Sequence, residues 1–239
     1  MSKYKGKRVL IVGFGLSGVA AAKYMLKQGA KVMVTDMKQR TELSESFKLA
    51  GDLKVEFELG KHNSKSFLTA ELIVVSPGVP LDIKPLEEAR AANVPIVSEV
   101  DLAVMAIKEP IVAVTGTNGK TTTTTLLGEI FKEDGKKVYV GGNIGKPLLD
   151  YANESTSPEV VVAELSSFQL ELTERLIPAV AVFTNIDQDH LDRYRDMNAY
   201  IEAKKRLLRQ CDRNTFVVLN YDDPIVSKFG SETPAKVMW

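Results

Sequence analysis

The chain has 239 residues, which is enough for one large domain or two ordinary ones with a substantial core. Hydrophobic residues make up 44% and charged residues 26%, and the equal totals of basic and acidic side chains (31 each) do not indicate a nucleic acid or a membrane as partner. Cys211 is the only cysteine, which excludes an internal disulfide and favours a reducing, cytoplasmic compartment. The basic N-terminus leads into only a short apolar run, so the sequence predicts neither a signal peptide nor a membrane span.

The first part of the chain alternates short apolar runs with helical patterns. Strands are predicted at 8–12, 31–35, 72–75 and 95–97, and helices at 18–28, 41–50, 84–92 and 99–107. The predicted strands do not alternate apolar and polar residues, which is typical of a parallel sheet that is covered on both faces. The segment 108–110 ends in Pro110 and is the predicted junction, so we expect a Rossmann-like domain over residues 1–108.

A second series of strands and helices begins at Ile111. Its strands are predicted at 111–115, 137–140, 159–164, 180–184, 215–219 and 235–238, and its helices at 120–133, 171–176, 197–210 and 223–229. A strand, a glycine-rich loop and a helix in that order predict an ATPase domain of the P-loop type over residues 109–239. The fold class expected for the chain is therefore α/β with mostly parallel sheets. Because the sequence stops directly after a predicted strand, we expect this second domain to be incomplete.

The first predicted strand ends in the glycine-rich turn G-F-G-L-S-G at 13–18, and Asp36 ends the second strand. This pattern is typical of a dinucleotide site in which Asp36 binds a ribose hydroxyl. The glycines require only a tight turn and a pyrophosphate close to a helix N-terminus, so a uridine-diphosphate sugar also fits, and a simple packing turn is the third alternative. The segment S-P-G-V-P at 76–80 follows a strand at the same sheet edge and is either part of this site or a plain turn.

A second glycine-rich loop, T-G-T-N-G-K-T-T at 115–122, lies between an apolar run and a helical pattern. The backbone N–H groups of such a loop bind phosphate, the ammonium group of Lys120 adds positive charge, and the hydroxyl of Thr121 can bind Mg²⁺. The loop lacks the first glycine of G-x-x-x-x-G-K-[ST], because Val114 occupies that position. An ordinary surface turn is the alternative, but the order of strand, turn and helix favours a nucleotide phosphate site.

Three polar clusters each follow a predicted strand of the second part: G-G-N-I-G at 141–145, E-L-S-S-F-Q at 164–169 and T-N-I-D-Q-D-H-L-D at 184–192. The last cluster collects three carboxylates and an imidazole, a set that suits Mg²⁺ or Mn²⁺ better than Zn²⁺. The alternatives are a solvated carboxylate for Glu164, helix capping for the aspartates and a surface position for His190. His62 has no such context and is expected on the surface.

The predicted helix at 197–210 places Tyr200 and Lys204 four residues apart on one face. Considered alone, Lys204, Lys205 and Arg206 are expected to form a solvated basic face. Nothing in the local sequence indicates chemistry at these positions.

Taken together, the motifs closely resemble those of the Mur ligase family. The shared set is T-G-T-N-G-K-T-T at 115–122, G-G-N-I-G at 141–145, E-L-S-S-F-Q-L at 164–170, N-x-x-x-D-H-L-D at 185–192 and Y-x-x-A-K at 200–204. The glycine-rich N-terminal turn and E-L-S-S-F-Q-L indicate the branch of the family that uses D-glutamate. The resemblance extends over the whole chain.

The resemblance implies an ATP-dependent amide ligase of peptidoglycan precursor synthesis. ATP would convert the carboxylate of UDP-N-acetylmuramoyl-L-alanine into an acyl phosphate, which the amine of D-glutamate then attacks. Two Mg²⁺ ions, with Mn²⁺ as the alternative, would neutralise the charge that develops between the carboxylate and the γ-phosphate. The partners are then small molecules, with no nucleic acid and no membrane, and a monomer is expected.

The resemblance also implies roles for individual residues of this chain. The UDP-linked substrate would be bound by Gly15, Leu16, Ser17, Asp36, Ser76, Pro77, Gly78, Asn143, Ser166 and His190. ATP would be bound by Gly116, Thr117, Asn118, Gly119, Lys120, Thr121 and Thr122. The metal ligands would be Thr121 and Glu164 for one ion and His190 and Lys204 for the other. Lys204 is expected as a carbamate, with Lys205 as the competing position. The catalytic candidates are Lys120, His190 and Lys204.

Two features depart from the family pattern. Met37 and Lys38 follow Asp36, where family members have polar and arginine residues near the uracil, so the contacts there stay unassigned. Family members are also much longer, and their further part completes the ATP domain and adds a C-terminal domain that binds the amino acid. We therefore expect the N-terminal half of such a ligase, without that C-terminal domain and inactive on its own.

The alternatives belong to three classes. Another Mur-type ligase shares the motifs, whereas a folate polyglutamating enzyme lacks the glycine-rich first domain. A dehydrogenase would explain the first glycine-rich turn and Asp36, but it leaves Lys120, Glu164 and His190 without a role. A nucleotide-binding module without ligase activity is the third class, and NTP hydrolysis without ligation would be its signature.

Overall fold

The structure is a computed structural model that describes residues 2–154, 157–190 and 192–239. Leu191, which belongs to the motif at 184–192, lies outside the described residues. The described residues form two sheets in which all neighbouring strands are parallel, so the predicted α/β class with parallel sheets is confirmed. Within these ranges, no helix combines the length and the apolar character needed to cross a membrane.

The first sheet has the strand order β3-β2-β1-β4-β5. Its strands are β1 (Arg8–Val12), β2 (Lys31–Asp36), β3 (Glu56–Leu59), β4 (Leu72–Val75) and β5 (Ile96–Ser98). The helices of this part are α1 (Leu16–Lys27), α2 (Ser44–Ala50), α3 (Ser64–Thr69), α4 (Lys84–Ala91) and α5 (Glu99–Ala106), with a 3₁₀ helix at Arg40–Leu43. The apolar run of β1 is buried from Val9 to Val12 and pairs with β2 on one side and β4 on the other. From β1 the strands are added on one side as far as β3, and β4 and β5 are then added on the other side of β1. Open α/β sheets bind ligands at the point where the strand order reverses in this way.

The second sheet has the strand order β11-β10-β9-β6-β8-β7. Its strands are β6 (Ile111–Thr115), β7 (Val138–Gly142), β8 (Val160–Glu164), β9 (Val180–Phe183), β10 (Phe216–Leu219) and β11 (Lys236–Met238). The helices are α6 (Lys120–Glu133), α7 (Asp150–Asn153), α8 (Ser167–Leu170) and α9 (Met197–Gln210), with a 3₁₀ helix at Val226–Ser231. Because β6 lies between β8 and β9, the segments that follow these three strands meet at one edge of the sheet.

Two predicted helices are wrong. The helix expected at 171–176 is replaced by α8, because Ser166 and Gln169 form a capping box that begins the helix earlier. The helix expected at 223–229 is replaced by the later 3₁₀ helix, because a carboxylate oxygen of Asp223 accepts the N–H groups of residues 225 and 226 in a tight turn. Three short elements, β3, α3 and α7, were not predicted.

One hydrophobic core connects the two sheets. Val100 and Leu102 of α5 are fully buried, and so are Leu148 and Leu149, which precede α7 in the second part. These four side chains belong to the same core cluster. Helix α5 is thus both the covalent link between the sheets and part of the packing that joins them.

Candidate active site

The glycine-rich turn after β1 packs directly against the loop after β4. Gly13 has φ +89°, and a Cβ atom there would lie 2.9 Å from Cβ of Ser76. The hydroxyl of Ser76 donates to the carbonyl of Gly13 at 3.0 Å, and a Cβ on Gly18 would collide with that same carbonyl oxygen. Helix α1 begins after Gly15 without a side-chain cap, so its first N–H groups are available to an anion.

Asp36 holds the glycine-rich turn from the neighbouring strand. One carboxylate oxygen accepts the N–H of Phe14 at 2.7 Å, and the other accepts the N–H of Lys38 at 2.8 Å. Asp36 therefore organises the turn and the segment after β2 at the same time. Its side chain also borders the cavity described below.

His62 is half-buried and lies beside this turn, so its predicted surface position is wrong. Its Nδ1 atom lies 2.9 Å from the hydroxyl of the buried Thr35. Burial lowers the pKa of the imidazole, and this effect exceeds the opposite effect of the negative charges of Asp36 and Glu58, which raise it. Sequence reasoning could have assigned His62 to the site only by predicting β3, which ends shortly before it. A polar turn that follows a strand lies at the edge of a parallel sheet where ligands bind. The short segment E-F-E-L, flanked by acidic residues, did not predict a strand.

A cavity of about 1170 Å³ opens between the two sheets. Among the residues predicted to bind the UDP-linked substrate, those that line it are Gly15, Leu16, Ser17, Asp36, Ser76, Pro77, Gly78 and Asn143. Ser166 and His190 are not among its lining residues. Lining residues that had no predicted role include Glu42, Lys61, His62, Ile83, Pro147 and Gln169. The cavity thus has one wall from the first sheet and one from the loops after β7 and β8.

The glycine-rich loop at 115–122, named the phosphate loop after its predicted role, follows β6 and is held by the segment after β9. Gly116 has φ +143°, and a Cβ atom there would collide with the hydroxyl oxygen of Thr184. That hydroxyl donates to the carbonyl of Asn118 at 2.7 Å, while the side-chain oxygen of Asn185 accepts the N–H of Asn118 at 2.9 Å. Gly119 in the left-handed conformation begins α6, so the helix N-terminus faces the loop. The predicted order of strand, glycine-rich loop and helix is therefore present.

Lys120 and Thr121 begin α6 from this loop. The ammonium group of Lys120 donates to the carbonyl of Thr117 at 2.7 Å and so bends back across the loop. The hydroxyl of Thr121 donates to Glu164 at 2.8 Å, and the amide of Asn143 donates to the other oxygen of Glu164 at 2.9 Å. Glu164 is 1% exposed, so its predicted alternative as a solvated carboxylate is wrong. Asn143 both borders the cavity and contacts Glu164, which connects the cavity to the phosphate loop.

In the segment after β9, two of the three carboxylates are engaged in local turns. Asp189 accepts the N–H of His190 at 2.9 Å and Asp187 accepts that of Gln188 at 2.7 Å, so both carboxylates stabilise local turns. Across the described ranges, no three side chains of His, Cys, Asp or Glu form a group that could hold a metal ion. Mg²⁺ in nucleotide sites takes one or two protein ligands and completes its shell with phosphate and water, and the pair of Thr121 and Glu164 fits that donor set.

His190 lies in a strained backbone conformation beside an aromatic cluster. Its φ is +54°, which is uncommon for a residue other than glycine. The imidazole ring lies 4.7 Å from the ring of Phe168 and 6.3 Å from that of Tyr200, measured between centroids. Tyr200 in turn donates to or accepts from the hydroxyl of Thr117 at 3.0 Å, so this cluster borders the phosphate loop.

Lys204 and Lys205 have opposite environments, and the predicted solvated basic face is wrong for Lys204. Its side chain is 1% exposed, donates to the carbonyl of Gly116 at 2.6 Å and lies over the ring of Tyr200. Burial, assisted by the charge of Lys120, lowers the pKa of Lys204 to about 7. Lys205 instead forms an ion pair with Glu232 at 2.7 Å, away from the loop. The structure therefore places the first of the two lysines beneath the phosphate loop.

Ser166 is engaged in forming α8. Its hydroxyl accepts the backbone N–H of Gln169 at 3.3 Å, and its own N–H donates to the side-chain oxygen of Gln169 at 3.0 Å, as the capping box requires. Gln169 reaches the cavity wall, so the capping box positions a residue of the E-L-S-S-F-Q motif that had no predicted role.

Comparison with known proteins gives this fold and site a class. The family model described as the Mur ligase middle domain matches residues 114–238, and the one described as the MurD-like N-terminal domain matches residues 7–98. The chain belongs to the Mur ligase family. Mur ligases in general use ATP and Mg²⁺.

The most similar relatives share one name. The protein called UDP-N-acetylmuramoylalanine–D-glutamate ligase in Geobacter sp. (strain M21) is 52% identical over 233 residues, which cover 98% of this chain and 52% of that protein. The protein of the same name in Geotalea uraniireducens (strain Rf4) is 48% identical over 97% of this chain and 51% of its own length. The chain thus spans about half the length of the relatives it matches.

Solved structures show the same fold. The UDP-N-acetylmuramate:L-alanyl-gamma-D-glutamyl-meso-diaminopimelate ligase of Neisseria meningitides superposes with a TM-score of 0.63 at 18% identity, over 97% of this chain and 77% of that one. The UDP-N-acetylmuramate-alanine ligase of Thermotoga maritima gives a TM-score of 0.55 at 24% identity, over 93% of this chain and 51% of that one. At these identities the likeness concerns the fold alone, and it agrees with the predicted Rossmann-like and ATPase-like architecture.

Proposed function

We propose that the chain is the N-terminal half of a ligase that adds D-glutamate to UDP-N-acetylmuramoyl-L-alanine with ATP, a step of peptidoglycan precursor synthesis. One observation carries the proposal: a single cavity reaches from the glycine-rich turn to Asn143, which is hydrogen-bonded to Glu164 beside the phosphate loop. A substrate with a diphosphate at one end and a carboxylate at the other fits such a cavity, because its carboxylate would lie next to ATP. The shared name of the relatives supports D-glutamate as the amino acid.

Residues 1–108 would hold the UDP-linked substrate. Gly15, Leu16 and Ser17 would bind its diphosphate, since the uncapped N-terminus of α1 offers N–H groups and the positive end of the helix dipole. Asp36, with Ser76 to Gly78 opposite, would border the uracil pocket. The other end of the substrate would contact Asn143, with Ser166 and His190 further along.

Residues 109–239 would hold ATP and its metal ions. The loop from Gly116 to Thr122 would bind the phosphates, with Lys120 as the mobile positive charge. Thr121 and Glu164 would hold one Mg²⁺, with Mn²⁺ as the alternative ion, and bound metal would supply positive charge where carboxylate and γ-phosphate meet. Lys120 would contribute further positive charge to the same region, which lowers the repulsion between the two anions.

Lys204 is proposed as a carbamate that serves the second metal ion together with His190. A carbamate forms when the neutral amine attacks carbon dioxide and releases a proton. The lowered pKa of Lys204 supplies the neutral amine, because burial and Lys120 both disfavour its ammonium form. The product carries a negative charge, which replaces a buried cation by an oxygen ligand near Glu164 and Asp189.

A cytoplasmic location is consistent with the lone buried Cys211 and with substrates that are ATP and a nucleotide-linked sugar. A monomer is proposed from the resemblance alone. The division between the two domains is proposed after Lys108.

Calorimetric titration with UDP-N-acetylmuramoyl-L-alanine tests the function, with NAD as the control ligand. We expect saturable binding of the UDP compound that Ser17→Ala weakens and that Lys120→Ala leaves unchanged, since Lys120 belongs to the ATP site. Titration with ATP and Mg²⁺ should show the reverse pattern for the same two variants. Binding of NAD without binding of the UDP compound would return the first glycine-rich turn to a dinucleotide site and would overturn the proposal.

A further inference from the structure

The first turn of α5 is the point at which the chain passes from the first sheet towards the second. Ser98 caps this helix, because its hydroxyl accepts the N–H of Asp101 at 2.9 Å. The first turn carries two carboxyl groups, those of Glu99 and Asp101, and these residues are only 1% and 3% exposed. Two nearly buried carboxyl groups in one turn need an explanation, since carboxylates are rarely buried without a partner.

Glu99 reaches across to the second part of the chain. Its Oε1 atom accepts the N–H of Leu149 at 2.6 Å, directly before α7. Its Oε2 atom is buried and has no hydrogen-bond partner among the described residues. Asp150 adds a like charge nearby, so this carboxyl group is costly to bury and its one contact fixes a position rather than neutralising a charge.

Asp101 reaches a different segment of the second part. Its Oδ1 atom accepts the N–H groups of Glu174 and Arg175, both at 3.0 Å. These two residues follow α8, which itself begins at Ser167. One turn of one helix therefore contacts two separate segments, one that follows β7 and one that follows β8.

Both segments are close in sequence to the far wall of the cavity. Pro147, two residues before Leu149, lines the cavity opposite the glycine-rich turn. Gln169, five residues before Glu174, lines the same wall. Thr173 donates to the carbonyl of Gln169 at 2.6 Å, which connects this wall to the contacts of Asp101. The spacing between the two walls is therefore coupled to the first turn of α5.

We propose that the first turn of α5 is a clamp in which Glu99 and Asp101 are positioning residues that set the width of the cavity between the two sheets. They would determine the affinity for a ligand that must reach both walls, and not for one that binds the first sheet alone. The identity of that ligand, UDP-N-acetylmuramoyl-L-alanine, rests on the proposed function.

The binding test compares UDP with UDP-N-acetylmuramoyl-L-alanine on the same 239-residue chain. We expect Glu99→Ala to weaken the longer ligand about tenfold while UDP binds as in the wild type, because UDP contacts only the first wall. Glu99→Gln keeps a side-chain oxygen for the N–H of Leu149 and should restore the affinity. Equal loss for both ligands, or no loss for either, would overturn the clamp.

Amide hydrogen exchange tests the clamp without any ligand, and it also covers the case in which Glu99→Ala does not fold. Asp101→Ala should speed exchange at Glu174 and Arg175, whereas Asp101→Asn, which keeps an acceptor oxygen, should not. Glu99→Ala should speed exchange at Leu149 in the same way. Unchanged exchange at these amides would overturn the clamp. If the wild type binds neither UDP compound while the variants show these exchange changes, the result would contradict the proposed function and support the clamp.

Discussion

Lys204 lies beneath the phosphate loop with its side chain almost fully enclosed, while its neighbour Lys205 forms an ion pair elsewhere. Sequence spacing could not separate the two, because adjacent residues on a helix differ by about 100° in direction and the buried side of α9 was not fixed by its motif. The structure separates them by burial. We therefore expect a carbamate at Lys204 and none at Lys205.

The first prediction concerns this carbamate. In ¹³C-labelled bicarbonate we expect one carbamate carbonyl signal by NMR for the wild type and for Lys205→Arg, and none for Lys204→Arg. The signal should fade as the pH falls below 7, because the pKa of Lys204 is about 7 and the ammonium form does not react. A signal that survives in Lys204→Arg, or that disappears only in Lys205→Arg, would contradict the assignment.

Gly116 is the residue at which the phosphate loop tolerates no side chain. It combines φ +143° with a place where a Cβ atom would collide with the hydroxyl of Thr184. Gly119 offers a matched control, because its φ is +79° but a Cβ atom there would meet open space. A side chain would therefore be strained at both glycines, and it would also collide at Gly116.

The second prediction follows from this pair. Gly119→Ala should cost about 1 kcal/mol of unfolding free energy through strain alone, and Gly116→Ala should cost on the order of 2–3 kcal/mol, since strain and collision add. Urea denaturation measures both changes. Gly116→Ala should also weaken ATP binding, because Thr184 then no longer holds Asn118. Equal destabilisation by the two substitutions would show that the collision is relieved without cost.

At the scale of elements, the sequence predicted what depends on local pattern and missed what depends on distant contacts. The phosphate loop was predicted because strand, turn and helix are adjacent in the chain. The edge strand β3 was not, because E-F-E-L is stabilised by its pairing with β2 and by contacts of Glu58 with residues 63 and 66. His62, which follows β3, was therefore left out of the site.

The cavity was predicted only in part for a similar reason. Its first wall follows from the glycine-rich turn and Asp36, but its second wall needs the position of the loops after β7 and β8. Gln169 belongs to that wall through the capping box with Ser166, and Pro147 through the segment that Glu99 holds. No local pattern reports such contacts between segments.

The third prediction concerns α5. Burial raises the pKa of Glu99 to about 7 from its ordinary 4.5. Among the described residues, the titratable groups that interact with Glu99 are Asp150, whose charge raises this pKa further, and Tyr139. A carboxyl whose folded pKa is raised favours the folded state fully below pH 4.5, and this stability is lost as the pH rises to 7. The loss should be on the order of 3 kcal/mol, because one pKa unit corresponds to about 1.4 kcal/mol.

Denaturation at a series of pH values measures this effect. We expect the wild type to lose unfolding free energy between pH 4.5 and 7, and Glu99→Gln to show a flatter profile over the same range. The comparison uses slopes rather than absolute stabilities, because the amide nitrogen of Gln would take the place of Oε2, which has no hydrogen-bond partner among the described residues. Parallel profiles for the two proteins would mean that folding does not raise the pKa of Glu99.

At the scale of the whole molecule, the largest hydrophobic core of the described residues contains side chains from both sheets, and two smaller clusters lie on one sheet each. Buried side chains of α1, α5 and β1 belong to the same cluster as those of β8, β9 and α9. A cooperative unit of this kind unfolds as a whole, since losing either sheet exposes the apolar surface of the other. The cavity lies between the sheets, so a ligand bound there would stabilise both.

The fourth prediction is that calorimetry shows a single unfolding transition that shifts as a whole with UDP-N-acetylmuramoyl-L-alanine. At a free concentration 100 times Kd, the ligand should add about 2.7 kcal/mol, which corresponds to a rise in Tm of roughly 5 to 10 °C for a chain of this size. ATP with Mg²⁺ should shift the same single transition, although it binds a different edge. Two transitions, of which each ligand moves only one, would mean that the sheets unfold independently, and α5 would then be a linker rather than part of a shared core.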